Sequence, residues 1–240
     1  MADPYRYIDL NDSNFEFVGR VTGAAEAALE AVANIEVGPI NYLAQTMWKS
    51  VRTQINGVDV SPNDSMYAYK AFVSHVITTT KSANENSAKI FEAWDVDRPA
   101  AHYGAVAKGN NLGLAGRITK FCNNTDVRLF IRPVDAIWCH ERALPHGFSL
   151  KIQFERQPET YTMMGDGAHP AAPELHVRRA IMHLKTGQVA REHAEAHKEA
   201  LDSQGGIIMD LKIAGARVIE VPQGMTSYNI SNVYNGTLPA

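Results

Sequence analysis

The stretch VRLFIRPVDAIWCHERALPHGFSLKIQFER, residues 127–156, decides the fold. Residues 150–155 alternate between apolar and polar side chains, the period-two pattern of a strand with one buried face. Residues 127–131 alternate in the same way and stop before Pro133. Because no segment of convincing helical period separates the two strands, the stretch predicts an antiparallel, all-β core.

Length and composition indicate a globular chain with a substantial core. The 240 residues are 45% hydrophobic and 20% charged, enough for one large all-β domain or two ordinary domains. The formal net charge of −3 argues against a protein that coats nucleic acid generally, although it allows a local basic patch. Cys122 and Cys139 form no Cys-x-x-Cys pair, which fits a reducing compartment, or at least a fold that disulfides do not stabilise. No window approaches the roughly 20 apolar residues of a membrane span, so none is expected.

The sharpest local signal is the run VRTQINGVDV, residues 51–60. Its Asn56-Gly57 pair predicts a tight β-hairpin, because both central residues of such a turn need a positive φ. Further strands are expected at residues 7–10, 15–21, 117–122, 175–184, 207–213 and 216–221, with a turn-rich break at 11–14.

Helices are expected as short additions to this β framework. Propensity and apolar spacing predict them at residues 24–33, 40–51, 66–78 and 188–201. In the third of these, Tyr69, Phe72, Val73 and Val76 share one helix face. The polar residues 79–86 and the glycine-containing residues 95–116 predict loops.

Two groups of residues resemble metal or nucleophile sites only superficially. His193 and His197 have the i, i+4 spacing of a helical metal pair, but Ala194 stands where the zinc-protease pattern needs Glu. We therefore interpret them as part of a solvated helix face. The neighbours Cys139 and His140 point to opposite sides of an extended chain, which predicts a buried structural cysteine beside a histidine at the rim.

The remaining polar groups also predict no active site. Loop polarity explains Asp95, Asp97 and Asp166, and residues 109–113 lack the pattern of a phosphate-binding loop. Four basic residues are scattered among acidic neighbours: Arg128, Arg132, Arg178 and Arg179. We therefore expect no catalytic, cofactor-binding or metal-binding residues, and no specific nucleic-acid partner.

Eight short segments occur in a suggestive order: YIDL at 7–10, PIN at 39–41, QINGV at 54–58, MYAYKA at 66–71, then residues 144–155, 180–184, 211–221 and 235–239. Their order resembles the capsid proteins of small eukaryotic DNA viruses and polinton-like elements, of the double jelly-roll, hexon-like lineage. The family's strands extend beyond both ends of this sequence. The resemblance therefore implies a first jelly roll at 1–166, a linker at 167–174 and part of a second jelly roll at 175–240.

The resemblance implies a non-enzymatic structural protein of the virion, made in the cytoplasm or nucleus of a host cell. Such subunits form homotrimeric capsomers of an icosahedral lattice, with minor capsid or vertex proteins as further partners. One alternative is a jelly-roll module that binds carbohydrate or protein, which would need exposed aromatic residues on one sheet. A cupin-like metalloenzyme is a second alternative, which would need His and Glu converging from neighbouring strands.

Overall fold

The structure, a computed structural model, has a mainly β architecture with antiparallel sheets and a few short helices. It describes residues 5–23, 37–61, 65–95, 97, 111–121, 124–145, 147–165, 173–205, 209, 211 and 223. The antiparallel β framework with short helical additions that the sequence predicts is confirmed. The jelly-roll arrangement stays a prediction. In the described part of the chain, no helix has both the length and the apolar character needed to cross a membrane.

The strands are β1 (Arg6–Thr22), β2 (Val37–Pro39), β3 (Trp48–Ile55), β4 (Val58–Asp59), β5 (Val127–Ile131), β6 (Leu150–Arg156), β7 (Met163–Gly165) and β8 (Glu174–Gln188). They form sheets in the orders β5-β1-β8, β2-β7 and β4-β3-β6. The helices are α1 (Leu43–Thr46), α2 (Tyr67–Thr78), α3 (Lys81–Ala83), α4 (Lys89–Phe91), α5 (Leu112–Phe121), α6 (Glu159–Thr162) and α7 (Arg191–Gln204). A π-helical turn, Asn84–Ala88, joins α3 to α4, and a 3-10 turn, Ala136–Cys139, follows β5.

The long strand β1 pairs with β5 on one side and β8 on the other. The break expected at residues 11–14 is confirmed in part: the pairing of β1 with β8 is interrupted between Asp9 and Asn14, although β1 itself continues. The Ser13 hydroxyl donates to the Asp9 carbonyl at 2.5 Å and accepts from the Lys185 amide at 3.0 Å. These bonds satisfy backbone groups that the irregularity removes from the ladder.

The hairpin predicted at residues 51–60 is confirmed. Asn56 and Gly57 have φ values of 51° and 80°, the left-handed conformations that the turn requires. Strand β3 of this hairpin also pairs with β6, whereas β5 pairs with β1. The two strands predicted from residues 127–156 are therefore both present, but they belong to different sheets.

Aromatic side chains of the two larger sheets meet in the core. The Phe154 ring of β6 lies 4.9 Å from that of Phe15 and 5.2 Å from that of Phe17, both in β1. Trp48 of β3 contacts Phe17 at 4.8 Å, and Trp138 contacts Phe15 at 5.3 Å. Because large rings bury much apolar area, these contacts hold the sheets against each other.

The strand predicted at residues 117–122 is wrong, because most of this segment belongs to helix α5. Leu114, Arg117 and Phe121 are spaced at i, i+3 and i+7 and are all buried. Helix α5 packs closely on β2, where a Cβ added at Gly38 would lie 2.5 Å from Cγ1 of Ile118. This helical packing overrides the local strand propensity.

Two further segments differ from the prediction, one by a shorter helix and one by a helix in place of a loop. The helix expected at residues 40–51 is confirmed only for α1, since the chain enters β3 at Trp48 and pairs there with β6. The loop expected at 79–86 is wrong: α3 and the π-helical turn occupy residues 81–88. The Thr80 hydroxyl accepts a 3.4 Å hydrogen bond from the Ala83 amide and caps α3.

The strand and helix expected at residues 175–184 and 188–201 are confirmed as β8 and α7. The helix at 24–33, nearly all of the strands at 207–213 and 216–221, and residues 166–172 of the linker region lie outside the described residues. Strand β8 follows that linker, yet it pairs with β1 from Arg6↔Gln188 to Thr22↔Glu174. One sheet thus joins segments from both sides of the proposed boundary, and the division into two domains stays a prediction.

Candidate functional site

An exposed apolar stripe runs along helix α2. It consists of Tyr69, Phe72, Val73, Val76 and Ile77, which we call the α2 stripe. The i, i+3, i+4, i+7, i+8 spacing places these side chains on one helix face. Ile77 is 77% exposed, and Val73 and Val76 are each 54% exposed. Because water disfavours contiguous apolar surface, such a stripe is typical of an interaction site.

The opposite face of α2 is buried and carries smaller or polar side chains. Ala68 and Ala71 are fully buried and let the helix approach α1 and β3 closely. Tyr67 and His75 complete this face near the two helix ends. The helix predicted at residues 66–78 is confirmed. The face that carries the α2 stripe is exposed, and of its members Phe72 also lies against the core, with its ring 5.5 Å from that of Trp94.

Buried polar contacts anchor the first half of α2. The Tyr67 hydroxyl donates to Gln45 Oε1 at 2.6 Å, and Gln45 Nε2 donates to the Arg132 carbonyl at 2.9 Å. Lys70 Nζ lies 2.8 Å from Asp135 Oδ1, with side chains only 10% and 2% exposed. Burial, helped by the Asp135 charge, raises the pKa of Tyr67 well above its usual value, so its hydroxyl stays a donor.

The second half of α2 is anchored through His75. Its Nε2 donates to Asn84 Oδ1 at 2.5 Å, and the Thr79 hydroxyl lies 3.3 Å from Nδ1. The Glu92 carboxylate approaches Nδ1 to 4.0 Å. These contacts connect α2 to the π-helical turn and to the segment after α4.

Burial shifts both titratable groups of this anchor. It raises the pKa of Glu92 from 4.5 to about 7, against the opposing charge of Arg132, and it lowers the pKa of His75. The rings of Tyr42 and Trp94 lie 4.2 Å and 4.5 Å from the imidazole and exclude water from it. Ionising Glu92 is therefore costly in the folded protein.

The cysteine and histidine candidates do not assemble into a reactive pair. Cys139 is a free, exposed thiol, so the expectation of a buried structural cysteine is wrong. The reason is that Cys139 ends the 3-10 turn, and Ile137 and Trp138 of that turn are buried instead. His140 Nδ1 accepts from the Arg142 amide at 3.1 Å, a contact within the loop.

The other candidates have structural contacts. His193 is exposed on α7, while Nδ1 of His197 lies 2.8 Å from the Tyr7 hydroxyl. Arg117 donates to the Asp95 carbonyl at 3.0 Å and to Asp97 Oδ1 at 2.9 Å. Among the residues described, no group of three or more His, Cys, Asp or Glu side chains is placed to hold a metal ion. Asp166 and residues 109–110 lie outside them.

Sequence reasoning missed a cluster around Glu16 of β1. Two of the scattered arginines, Arg128 of β5 and Arg179 of β8, each place a nitrogen 3.5 Å from Glu16 Oε1. His183 Nε2 donates to Glu16 Oε2 at 3.0 Å. The sequence contains no spacing signal for this cluster, because its members come from three strands that only the sheet brings together.

Comparison with known proteins yields no match to any protein-family model, curated protein or solved structure.

Proposed function

We propose that this protein is a non-enzymatic capsid subunit of a virus or virus-derived element, which self-assembles into homotrimers and a shell lattice. The observation that carries the proposal is the α2 stripe, a contiguous apolar face on a helix whose other face is firmly anchored. Self-association would cover this face, since identical subunits bury the same patch in each copy of a symmetric assembly. The order of sequence segments that resembles double jelly-roll capsid proteins supports the same function.

The mainly β, antiparallel framework supports this proposal in a general way. A jelly roll packs antiparallel sheets over one core. The aromatic contacts between β1 and β6, which join two antiparallel sheets, support that arrangement without being specific to it. Helices and loops outside the sheets then supply subunit contacts. The carbohydrate-binding alternative has less support, because Trp48, Trp94 and Trp138 are all buried and offer no ring surface for a sugar.

The energy available from the α2 stripe suits an assembly contact. Fully burying an apolar side chain of this size contributes about 1.5–3 kcal/mol, and the five residues are on average about half exposed. Covering them therefore contributes roughly 5 kcal/mol per subunit before the entropy of association is subtracted. Because the entropy of association offsets much of this energy, a stable trimer needs additional buried surface. Neighbouring loops and lattice contacts would supply that surface.

The mass of the protein in solution and negative-stain images test the proposal. We expect the wild-type protein to form trimers or larger particles, and Val73→Lys/Ile77→Lys to remain monomeric, because buried charges without partners oppose association. Ser82→Lys/Asn86→Lys is the matched control, since it adds the same charge at exposed positions on the neighbouring helical segment. A wild-type protein that stays monomeric at high concentration, or a stripe variant with wild-type mass, would refute self-assembly through the α2 stripe.

A further inference from the structure

A second surface, separate from the α2 stripe, lies on the face of the β5-β1-β8 sheet that carries Glu16. Across this face, Val18 of β1 is flanked by Arg128 and Arg179, and Glu16 by Phe130 and Ile181. Cations and an aromatic ring thus occupy neighbouring positions on one sheet face. None of the contacts that anchor α2 uses the two arginines.

The two arginines retain donors for an external anion. Their side chains are 68% and 54% exposed, and their 3.5 Å distances to Glu16 Oε1 exceed ordinary hydrogen-bond lengths. The hydrogen bond from His183, with Arg128 and Arg179 nearby, holds the pKa of Glu16 below its usual value. One carboxylate therefore faces two permanent cations, which leaves a net positive charge before His183 is counted.

An open cleft of about 510 Å³ adjoins this cluster at Phe130. Phe91 forms a second aromatic wall, with its ring 5.5 Å from that of Phe130 and nearly perpendicular to it. Phe91 is 45% exposed, so part of its ring is free to contact a ligand. Arg132 and Glu92 also line the cleft, so it contains one further cation and one carboxyl group.

We propose that this surface binds single-stranded nucleic acid without sequence specificity, with phosphates on Arg128 and Arg179 and a base against Phe91. The pairing of exposed cations with an aromatic platform is the chemistry that such ligands require, because each base has a π-face and each link carries a charge. A duplex would keep its bases stacked and could use only the cations. Because the overall charge of the protein is −3, binding is confined to this patch. Its phosphate–arginine contacts make the affinity sensitive to salt.

Fluorescence anisotropy with a labelled oligothymidylate tests the binding of single-stranded nucleic acid. A length of about 20 nucleotides is suitable, because it exceeds a typical site of about 4–16 nucleotides. For Arg128→Gln/Arg179→Gln we expect at least about tenfold weaker binding at low salt. The slope of log affinity against log salt should shrink by about 0.7 for each phosphate that the variant no longer neutralises. The matched control is Lys81→Gln/Arg142→Gln, which removes the same charge at exposed positions elsewhere and should bind like wild type.

A second pair of variants separates base stacking from general attraction to anions. Phe91→Ala should weaken oligothymidylate binding about tenfold, while Ile90→Ala, at the neighbouring exposed position, should not. Heparin binding should be unchanged by Phe91→Ala, since that polymer has no bases.

Three results would overturn the proposal. The first is equal affinity of the arginine variant and its charge-matched control, and the second is equal affinity of the Phe91 and Ile90 variants. The third is stronger binding of the wild-type protein to phosphatidylserine vesicles or heparin than to the oligonucleotide. Circular dichroism spectra and melting temperatures of all variants establish that weaker binding does not reflect unfolding.

Discussion

Replacing Glu92 by Gln should stabilise the protein at neutral and alkaline pH and leave it unchanged in acid. Glu92 is mostly buried near the end of α4 and approaches His75 Nδ1 to 4.0 Å. Burial raises its pKa from 4.5 to about 7 in the folded protein. Glutamine keeps the shape and polarity of the protonated side chain but carries no proton to lose.

The sign and size of the effect follow from this shift. Between pH 4.5 and about 7 the unfolded chain releases the Glu92 proton while the folded protein retains it, so stability falls as pH rises through that window. A shift of this size corresponds to roughly 3 kcal/mol at about 1.4 kcal/mol per unit. Glu92→Gln should therefore match wild type at the acid end and exceed it by roughly 3 kcal/mol above pH 7.

Urea unfolding at a series of pH values measures this difference. His75 contributes the opposite trend, because its lowered pKa makes stability fall as pH drops below about 6.5. The comparison should therefore be repeated in a His75→Gln background, where the gain from Glu92→Gln should persist if burial is its cause. Glu141→Gln, at an exposed position, is the control and should have little effect. A Glu92→Gln curve parallel to wild type at every pH would refute the reasoning.

Two further substitutions test the packing around α2 and α5. Lys70→Met should cost about 3 kcal/mol of unfolding free energy, because it removes the buried ion-pair partner of Asp135, whereas Lys49→Met should cost under about 1 kcal/mol since its pair is exposed. Gly38→Ala should cost about 1–3 kcal/mol, because the new Cβ would lie 2.5 Å from Ile118 Cγ1. The cost of Gly38→Ala should be smaller in an Ile118→Ala background, because the clashing side chain is then absent. Chemical denaturation measures all of these free energies of unfolding. If the costs of Gly38→Ala and Ile118→Ala simply add in the double variant, the proposed clash is wrong.

Local patterns predicted the fold where the structure depends on local geometry. The Asn56-Gly57 pair was sufficient to predict the turn, because few residues adopt a positive φ. The alternation at residues 150–155 was sufficient to predict β6, because a half-buried strand has a period-two pattern. The strand expected at residues 117–122 is wrong because that window is too short to show the helical period. Over Leu112–Phe121, the buried residues Leu114, Arg117 and Phe121 recur at helical spacing. The sheet membership of β5 and β6 depends on partners distant in sequence.

The candidate site was only partly predictable for the same reason. Apolar spacing placed four members of the α2 stripe on one face, but spacing does not say which face a protein buries. The decisive residues are Ala68 and Ala71, whose small size allows the helix backbone to approach β3. No local sequence pattern predicts the Glu16 cluster, because only the pairing of β5, β1 and β8 brings its cations together.

The buried contacts of α2 explain why its apolar stripe is exposed to solvent. If few contacts held α2, its exposed apolar face could result from a helix that is free to rotate. The buried contacts of Tyr67, Lys70 and His75 argue otherwise, because they fix the helix rotation at both ends. Turning the α2 stripe inward would break these contacts and leave buried polar groups without partners, at a cost of about 1–3 kcal/mol for each group. The stripe is therefore held outward by the fold itself, which is why we propose that a second copy of the protein covers it.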